Sequence, residues 1–106
     1  MHRMLFAVHR KPELTYEQFL EHYQQVHLPI ARRLPKLERY EIFPVQPGSD
    51  ADTQAPDAFA LMVFDSAETF EAVMASPEMA AAVEDNATFI DRFEANTVDH
   101  LPLVTG

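Results

Sequence analysis

Between Ala58 and Phe64 the chain carries no polar side chain, although the residues on either side of this segment are acidic. A short segment that is apolar at every position is typical of a β-strand buried on both faces at the centre of a sheet. The segment 3–9 has the same character, because apolar side chains alternate to both of its faces. Those side chains are Met4, Phe6 and Val8 on one face and Leu5 and Ala7 on the other. The chain therefore needs a sheet with two central strands and with cover on both sides.

The segment after the first strand has the pattern of a capped helix. Thr15 and Gln18 form a capping box, and apolar residues then recur every three or four positions until Pro35 ends the helix. Residues 39–46 follow as a strand with more polar content. Pro44 within this strand indicates an edge position, since proline cannot donate a hydrogen bond to a neighbouring strand.

The second half of the chain brings a loop, two strands and a helix. Pro47–Asp57 is a polar loop that we expect to be mobile, because it offers few apolar anchors. A second helix is capped by Asp65 or Ser66 and restarts at Ser76-Pro77, since proline suits a first helical turn. It continues through Val83, and Phe89-Ile90 belongs to the turn that follows. Residues 92–101 are polar enough to form an edge strand.

The resulting order, β-α-β-β-α-β, predicts an α+β, ferredoxin-like fold with a four-stranded antiparallel sheet, as a single domain over residues 1–106. Two helices cover one face of such a sheet, and a second copy is the simplest cover for the other face. We therefore expect a homodimer in which two sheets face each other, a dimeric α+β barrel. Alternation alone leaves open whether Phe59, Leu61 and Val63 or Ala60, Met62 and Phe64 lie on the helix-free face.

Charge and composition exclude several function classes. The formal net charge of -9 argues against a nucleic-acid partner, whose phosphates require clustered basic residues. The absence of cysteine removes thiol nucleophiles and cysteine-ligated metals. We expect His22 to lie well away from His27 around the helix and to face solvent. Because the two are five positions apart, they cannot bind one metal from a single helical face, and we expect no metal site. With no apolar stretch long enough to cross a membrane, we expect a cytoplasmic protein with no membrane association.

His27 is the strongest candidate for a functional residue. At helical spacing it lies within the apolar stripe, one turn after Tyr23, where a polar group costs about 1–3 kcal/mol unless it is hydrogen-bonded. Pro29 removes a helical hydrogen bond nearby and is expected to open the helix beside His27. Two interpretations stay open: an acid–base group facing a cavity, or a core histidine tied to an aspartate or tyrosine.

The helix and the turn after it resemble the EthD family of dimeric α+β barrel proteins. The resemblance rests above all on the His-x-Pro helix and on the Leu-Pro-x-Leu turn that a tyrosine follows. The matching residues are Phe19, Tyr23, His27, Pro29, Ala31, Leu34, Pro35, Leu37 and Tyr40, and Phe64–Glu68, Ser76–Glu78 and Phe89–Asp91 match further along. Lys36 departs from the family, which commonly has glycine after the proline of that turn.

The resemblance implies a pocket beside the helix histidine and a role in catabolic or polyketide-type metabolism. We expect a cofactor-independent enzyme in which His27 performs proton transfer, isomerisation or cyclisation on a small, apolar, oxygenated ligand. The predicted substrate-binding residues are Tyr23, Tyr40 and Asp91. We expect no metal and no other cofactor, and an oxidoreductase function would rest on analogy, because the chain has no glycine-rich dinucleotide turn.

The alternative is a non-catalytic small-molecule-binding or stress-response module on the same fold. A His27 ring fully satisfied by protein groups favours this alternative. A free imidazole edge facing a cavity of about 300 Å³ or more favours the enzyme.

Overall fold

The computed structural model describes residues 1–46 and 55–104, and these form the predicted order of strands and helices. The first helical segment is continuous but contains a π-helical turn, and the second is divided into two helices. The elements are β1 (His2–Arg10), α1 (Tyr16–His22), the π-helical turn (Tyr23–His27), α2 (Leu28–Ala31), β2 (Arg39–Pro44), β3 (Ala58–Phe64), α3 (Ala67–Met74), α4 (Pro77–Phe89) and β4 (Ile90–Val98). The mobility predicted for the 47–57 loop concerns mainly residues 47–54, which lie outside the described residues.

The sheet has the strand order β2-β3-β1-β4, and every neighbouring pair is antiparallel. The two strands predicted to be central are central, and the chain has the ferredoxin-like α+β fold. Leu5 on β1 lies opposite Leu61 on β3, which in turn lies opposite Glu41 on the edge strand β2. Apolar side chains therefore concentrate at the middle of the sheet and charged ones at its edges.

The structure identifies the helix-covered face of the sheet. Met62 and Phe64 are buried there against Val73 of α3 and Met79 of α4. Because side chains alternate along a strand, Phe59 and Leu61 lie on the opposite, helix-free face. Both are only half-buried in the single chain.

The predicted helix starts are confirmed by their hydrogen bonds. Thr15 Oγ1 accepts from Gln18 N at 3.1 Å, and Gln18 Oε1 accepts from Thr15 N at 2.9 Å, which completes the capping box. Ser76 Oγ accepts from Met79 N at 3.1 Å, with Pro77 as the first residue of α4. These side chains satisfy amide donors that the first helical turn leaves without partners.

The connection between β2 and β3 begins and ends at one place on the sheet. Val45 N donates to Asp57 O at 2.9 Å, so the residues that flank the connection are hydrogen-bonded to each other. Asp57 N donates to Val8 O at 2.8 Å, and the Asp57 carboxylate accepts from Arg10 N at 2.9 Å and from Arg10 Nε at 3.2 Å. Backbone and side chain together fix Asp57 at the end of β1.

Within the described residues, no helix has both the length and the apolar character that crossing a bilayer requires. The cytoplasmic location stays a prediction from the sequence.

Candidate functional site

A cavity of about 210 Å³ lies between the sheet and the helices. Its walls come from β1, β2, β3 and β4 below, and from the π-helical turn, α3 and α4 above. Most lining residues are apolar, and among the described ones the polar side chains are Tyr23, His27, Tyr40 and Asn86. The structure thus brings together three of the four residues that the sequence proposed for a site.

His27 is held at the cavity wall by a carboxylate. Its Nδ1 atom lies 2.8 Å from Asp85 Oδ2 on α4, and the His27 side chain is only 5% exposed. Burial lowers the pKa of His27 and outweighs the Asp85 carboxylate, which acts to raise it. A neutral ring must then donate Nδ1–H to the carboxylate, which leaves Nε2 as an acceptor. Among the described residues, Nε2 has no hydrogen-bond partner.

Asp85 also binds a second imidazole. His22 Nε2 lies 3.1 Å from each oxygen of the Asp85 carboxylate and 3.2 Å from Thr88 Oγ1. Burial acts to raise the pKa of Asp85, but the hydrogen bonds from His27 and His22 prevail and lower it. Asp85 is therefore a charged carboxylate at neutral pH, shared by two histidines.

The position of His22 corrects the sequence prediction, which placed it well away from His27 on the solvent side of the helix. In the π-helical turn, Leu28 N donates to Tyr23 O, five residues earlier instead of four. This wider turn brings residues five positions apart onto the same side. His22 and His27 consequently face the same carboxylate.

Asp91, predicted to orient the substrate, is exposed and does not line the cavity. The pairing of β1 with β4 shifts between His9, opposite Arg92, and Arg10, opposite Ile90, so Asp91 has no partner on β1. The carboxylate beside His27 is Asp85 instead. Helical spacing could have predicted that Asp85 faces inwards. Asp85 lies three residues after Ala82 and four before Phe89, on the buried stripe of α4.

The two predicted tyrosines both lie at the cavity wall. Burial raises the pKa of Tyr23 and of Tyr40, so both hydroxyls keep their protons at neutral pH. The Tyr23 ring stands edge-on to the His27 ring, with 5.4 Å between centroids. Phe89 packs against both rings and is fully buried, which excludes water from this side of the imidazole.

The arrangement offers acid–base chemistry. His22 and His27 each lie at hydrogen-bonding distance from Asp85. In the part of the chain that the structure describes, no group of three or more His, Asp or Glu side chains is arranged as a metal site. The neutral imidazole can accept a proton, and the two phenols can donate hydrogen bonds.

Known structures with the same fold include three that cover nearly the whole chain. An EthD family protein from Bacillus halodurans C-125 has 21% identity and a TM-score of 0.74, over 95% of this chain and 100% of that one. A dimeric ferredoxin-like protein of unknown function from Thermobifida fusca YX has 18% identity and a TM-score of 0.71, over 92% and 88% of the two chains. A dimeric protein of unknown function with a ferredoxin-like fold from Bacteroides fragilis NCTC 9343 has 10% identity and a TM-score of 0.64, over 93% and 95%.

At these identities the structural likeness shows the fold and leaves the activity open. No curated protein matches the chain significantly in sequence. The EthD domain, however, matches residues 11–92, a span that holds both histidines, both tyrosines and Asp85. The chain therefore belongs to the EthD family.

Proposed function

We propose that the chain is a cofactor-independent enzyme that moves a proton within a small, largely apolar, oxygenated substrate, by isomerisation or cyclisation, with His27 as the base. The observation that carries this proposal is the His27–Asp85 pair at the wall of an apolar cavity. The wider setting in catabolic or polyketide-type metabolism rests on the resemblance to the family.

The geometry supports a defined first step. His27 Nε2 takes a proton from the carbon beside a substrate carbonyl. The electron pair of the broken C–H bond forms a C=C bond, and the π pair of the carbonyl moves onto its oxygen. Asp85 favours this step because its charge stabilises the imidazolium that forms and its hydrogen bond fixes the orientation of the ring. The imidazolium then returns the proton to a different atom of the substrate, which completes the isomerisation and regenerates the neutral base.

Tyr23 and Tyr40 supply hydrogen-bond donors for the developing oxyanion. Their protonated hydroxyls lie in a cavity that is otherwise almost entirely apolar, where a hydrogen bond to a charged oxygen is stronger than in water. Asp91 has no part in this proposal, because it is exposed and away from the cavity.

One observation favours the alternative of a non-catalytic binding module. The cavity of about 210 Å³ is smaller than the 300 Å³ that we set for an enzyme pocket, and Asp85 satisfies one nitrogen of His27. A binding module needs the same apolar walls but no free base. The two functions therefore differ in whether His27 Nε2 takes a proton from the ligand.

We also propose that the chain works as a homodimer through the helix-free face of its sheet, as a dimeric α+β barrel. Phe43 is 50% exposed on that face and lies beside the half-buried Phe59, its partner on β3. Ion pairs flank the apolar centre on the edge strands, Arg39–Glu41 at 3.8 Å and Arg92–Glu94 at 3.9 Å. Two similar structures are dimeric, which supports the proposal.

Hydrogen–deuterium exchange at carbon tests the proposed base without knowledge of the physiological substrate. The protein is incubated in D₂O with a panel of cyclic ketones, β-diketones and unsaturated lactones, and loss of the α-proton signal is followed by NMR. We expect exchange of at least one panel member to be catalysed. The change His27→Gln should reduce that exchange by about 10²–10⁴-fold, the usual contribution of a general base, while the fold is kept.

The matched control is His100→Gln, which alters an exposed histidine outside the cavity. It should exchange at the wild-type rate. Unchanged exchange in His27→Gln, together with a loss of stability of about 1–3 kcal/mol, would show a structural histidine instead of a base. Binding of panel members without any exchange would establish the binding module.

A further inference from the structure

The cavity has a buried polar end and an exposed apolar end. Tyr23 and His27 are each only 4% exposed and form the inner end. Three large apolar side chains that line the same cavity are about half exposed: Met74 at 49%, Val83 at 53% and Phe93 at 47%. We call these three residues the apolar rim, because their exposure marks where the cavity opens to solvent.

The apolar rim differs from ordinary exposed apolar residues. Single exposed side chains are common on protein surfaces, whereas a group around one opening marks a binding surface. Its members come from α3, α4 and β4, elements that the fold brings together at this opening. A ligand that leaves the cavity must cross them.

The size of the cavity limits what can be enclosed. A cavity of about 150 Å³ holds a benzene molecule, so about 210 Å³ accommodates one substituted ring. Any longer ligand has to extend past the apolar rim. The side chains there offer van der Waals contact and no hydrogen bonds, which suits a hydrocarbon chain.

Charge narrows the ligand further. The described lining residues include no lysine, arginine, aspartate or glutamate, so a buried ionic group would find no counter-charge. The net charge of -9 also disfavours a negatively charged membrane surface as the occupant of the apolar rim.

We propose, given the reactive site proposed above, that the ligand is an uncharged amphiphile. Its oxygenated ring lies in the cavity against His27 and the tyrosines, and its apolar chain lies across Met74, Val83 and Phe93. The inner end thus selects the ring, and the apolar rim selects the chain.

The experiment measures binding of phenol and its para-methyl, propyl, pentyl and heptyl derivatives by titration calorimetry at neutral pH, where phenols are uncharged. A fully buried methylene contributes about fourfold in affinity, and one that lies against a surface on one side about half of that free energy. We therefore expect affinity to rise by about twofold for each methylene added beyond the ring.

Val83→Ser should flatten this dependence on chain length, and Met74→Ser should do the same, so the measured quantity is the slope of affinity against chain length within each variant. The matched control is Val26→Ser, since Val26 is 44% exposed on a helical segment and does not line the cavity. It should keep the wild-type dependence. Circular dichroism melts verify that each variant is folded.

No binding by any member of the series, an affinity independent of chain length, or equal slopes in Val83→Ser and Val26→Ser would overturn the proposal. A change of sedimentation in Val83→Ser would also overturn it, because the apolar rim would then be a protein contact. Calorimetry reports binding and deuterium exchange reports chemistry. A chain-length effect without deuterium exchange would contradict the proposal that His27 is a base and support the proposed ligand class. Exchange without a chain-length effect would support the base and contradict the ligand class.

Discussion

Asp85 is the residue that connects the two histidines of the candidate site. Its carboxylate accepts from His27 at 2.8 Å and from His22 at 3.1 Å, so it orients two imidazoles at once. Because its own pKa is lowered, it stays charged through the physiological range. His27, with its pKa lowered by burial, stays neutral over the same range and can act as a base.

The lowered pKa of His27 makes a prediction for stability against pH. The unfolded chain binds a proton at His27 near pH 6.5, whereas the folded chain resists protonation until a lower pH. Below pH 6.5 the unfolded state therefore binds more protons, and stability falls as pH falls towards the folded pKa. We expect His27→Gln to lose less stability than the wild type between pH 7 and pH 5, by at most about 1.4 kcal/mol per pH unit.

Urea unfolding of both proteins at several pH values measures this difference. Both proteins are compared in a His22→Gln background, because His22 shares the Asp85 carboxylate with His27 and would respond to its removal. Asp85, whose pKa lies below its usual 3.8, titrates outside this window. Parallel stability curves for the two proteins would contradict a lowered pKa at His27.

The burial of a residue could be predicted from the sequence where the helix or strand that carries it determines which way its side chain points. His27 and Tyr23 were predicted to face inwards from helical spacing alone, and the structure buries both. Asp85 was missed because its role depends on the packing of α4 against the π-helical turn, a contact between segments far apart in sequence. His22 was missed because nothing in its neighbourhood except Pro29 indicates a wider turn.

Helices and strands were predicted more reliably, because local rules determine them. Thr15 with Gln18 and Ser76 with Pro77 start their helices as expected, and β3 spans the predicted Ala58–Phe64. The last strand starts at Ile90 instead of Arg92, because α4 runs directly into it. Such ends depend on tertiary packing as well as on propensity.

The turn between α2 and β2 carries a conformation that its sequence does not favour. Lys36 has a φ of 59°, which lies in the left-handed region. Among the residues that the structure describes, no other non-glycine residue has a positive φ. It occupies the position where the family commonly has glycine. A residue with a Cβ atom is disfavoured there by about 1–2 kcal/mol.

We expect Lys36→Gly to stabilise the protein by about 0.5–1 kcal/mol, since the relief of strain exceeds the greater flexibility of glycine in the unfolded chain. Thermal unfolding should show a rise of a few degrees in Tm. Lys36→Ala removes the same charge but keeps the Cβ atom, so it should not stabilise. Equal melting temperatures for the glycine and alanine variants would exclude backbone strain as the cause.

The molecule as a whole has a sheet with one face covered by helices and one face without cover. On the helix-free face, the half-buried Leu5 and Leu61 lie opposite each other at the centre. A monomer seldom leaves so apolar a sheet face in water. The sequence predicted that a partner is needed, but the alternation of β3 could not tell which of its faces the partner would meet.

We expect the wild-type protein to sediment near twice 12.1 kDa, and Leu61→Asp to yield monomer or aggregate. A carboxylate at the centre of the interface would lose its hydration without gaining a partner. Ala81→Asp, on the exposed side of α4, is the control and should remain dimeric. A stable, soluble wild-type monomer in sedimentation equilibrium would overturn the dimeric barrel.

The hydrogen bond from Val45 N to Asp57 O has a consequence for how this fold can vary. Since the connection closes on itself at that bond and Arg10 anchors Asp57, its length is uncoupled from the geometry of the cavity. Doubling a closed loop costs only about 0.6 kcal/mol in closure entropy. We therefore expect that a peptide tag inserted in this connection leaves the histidine and its carboxylate in place.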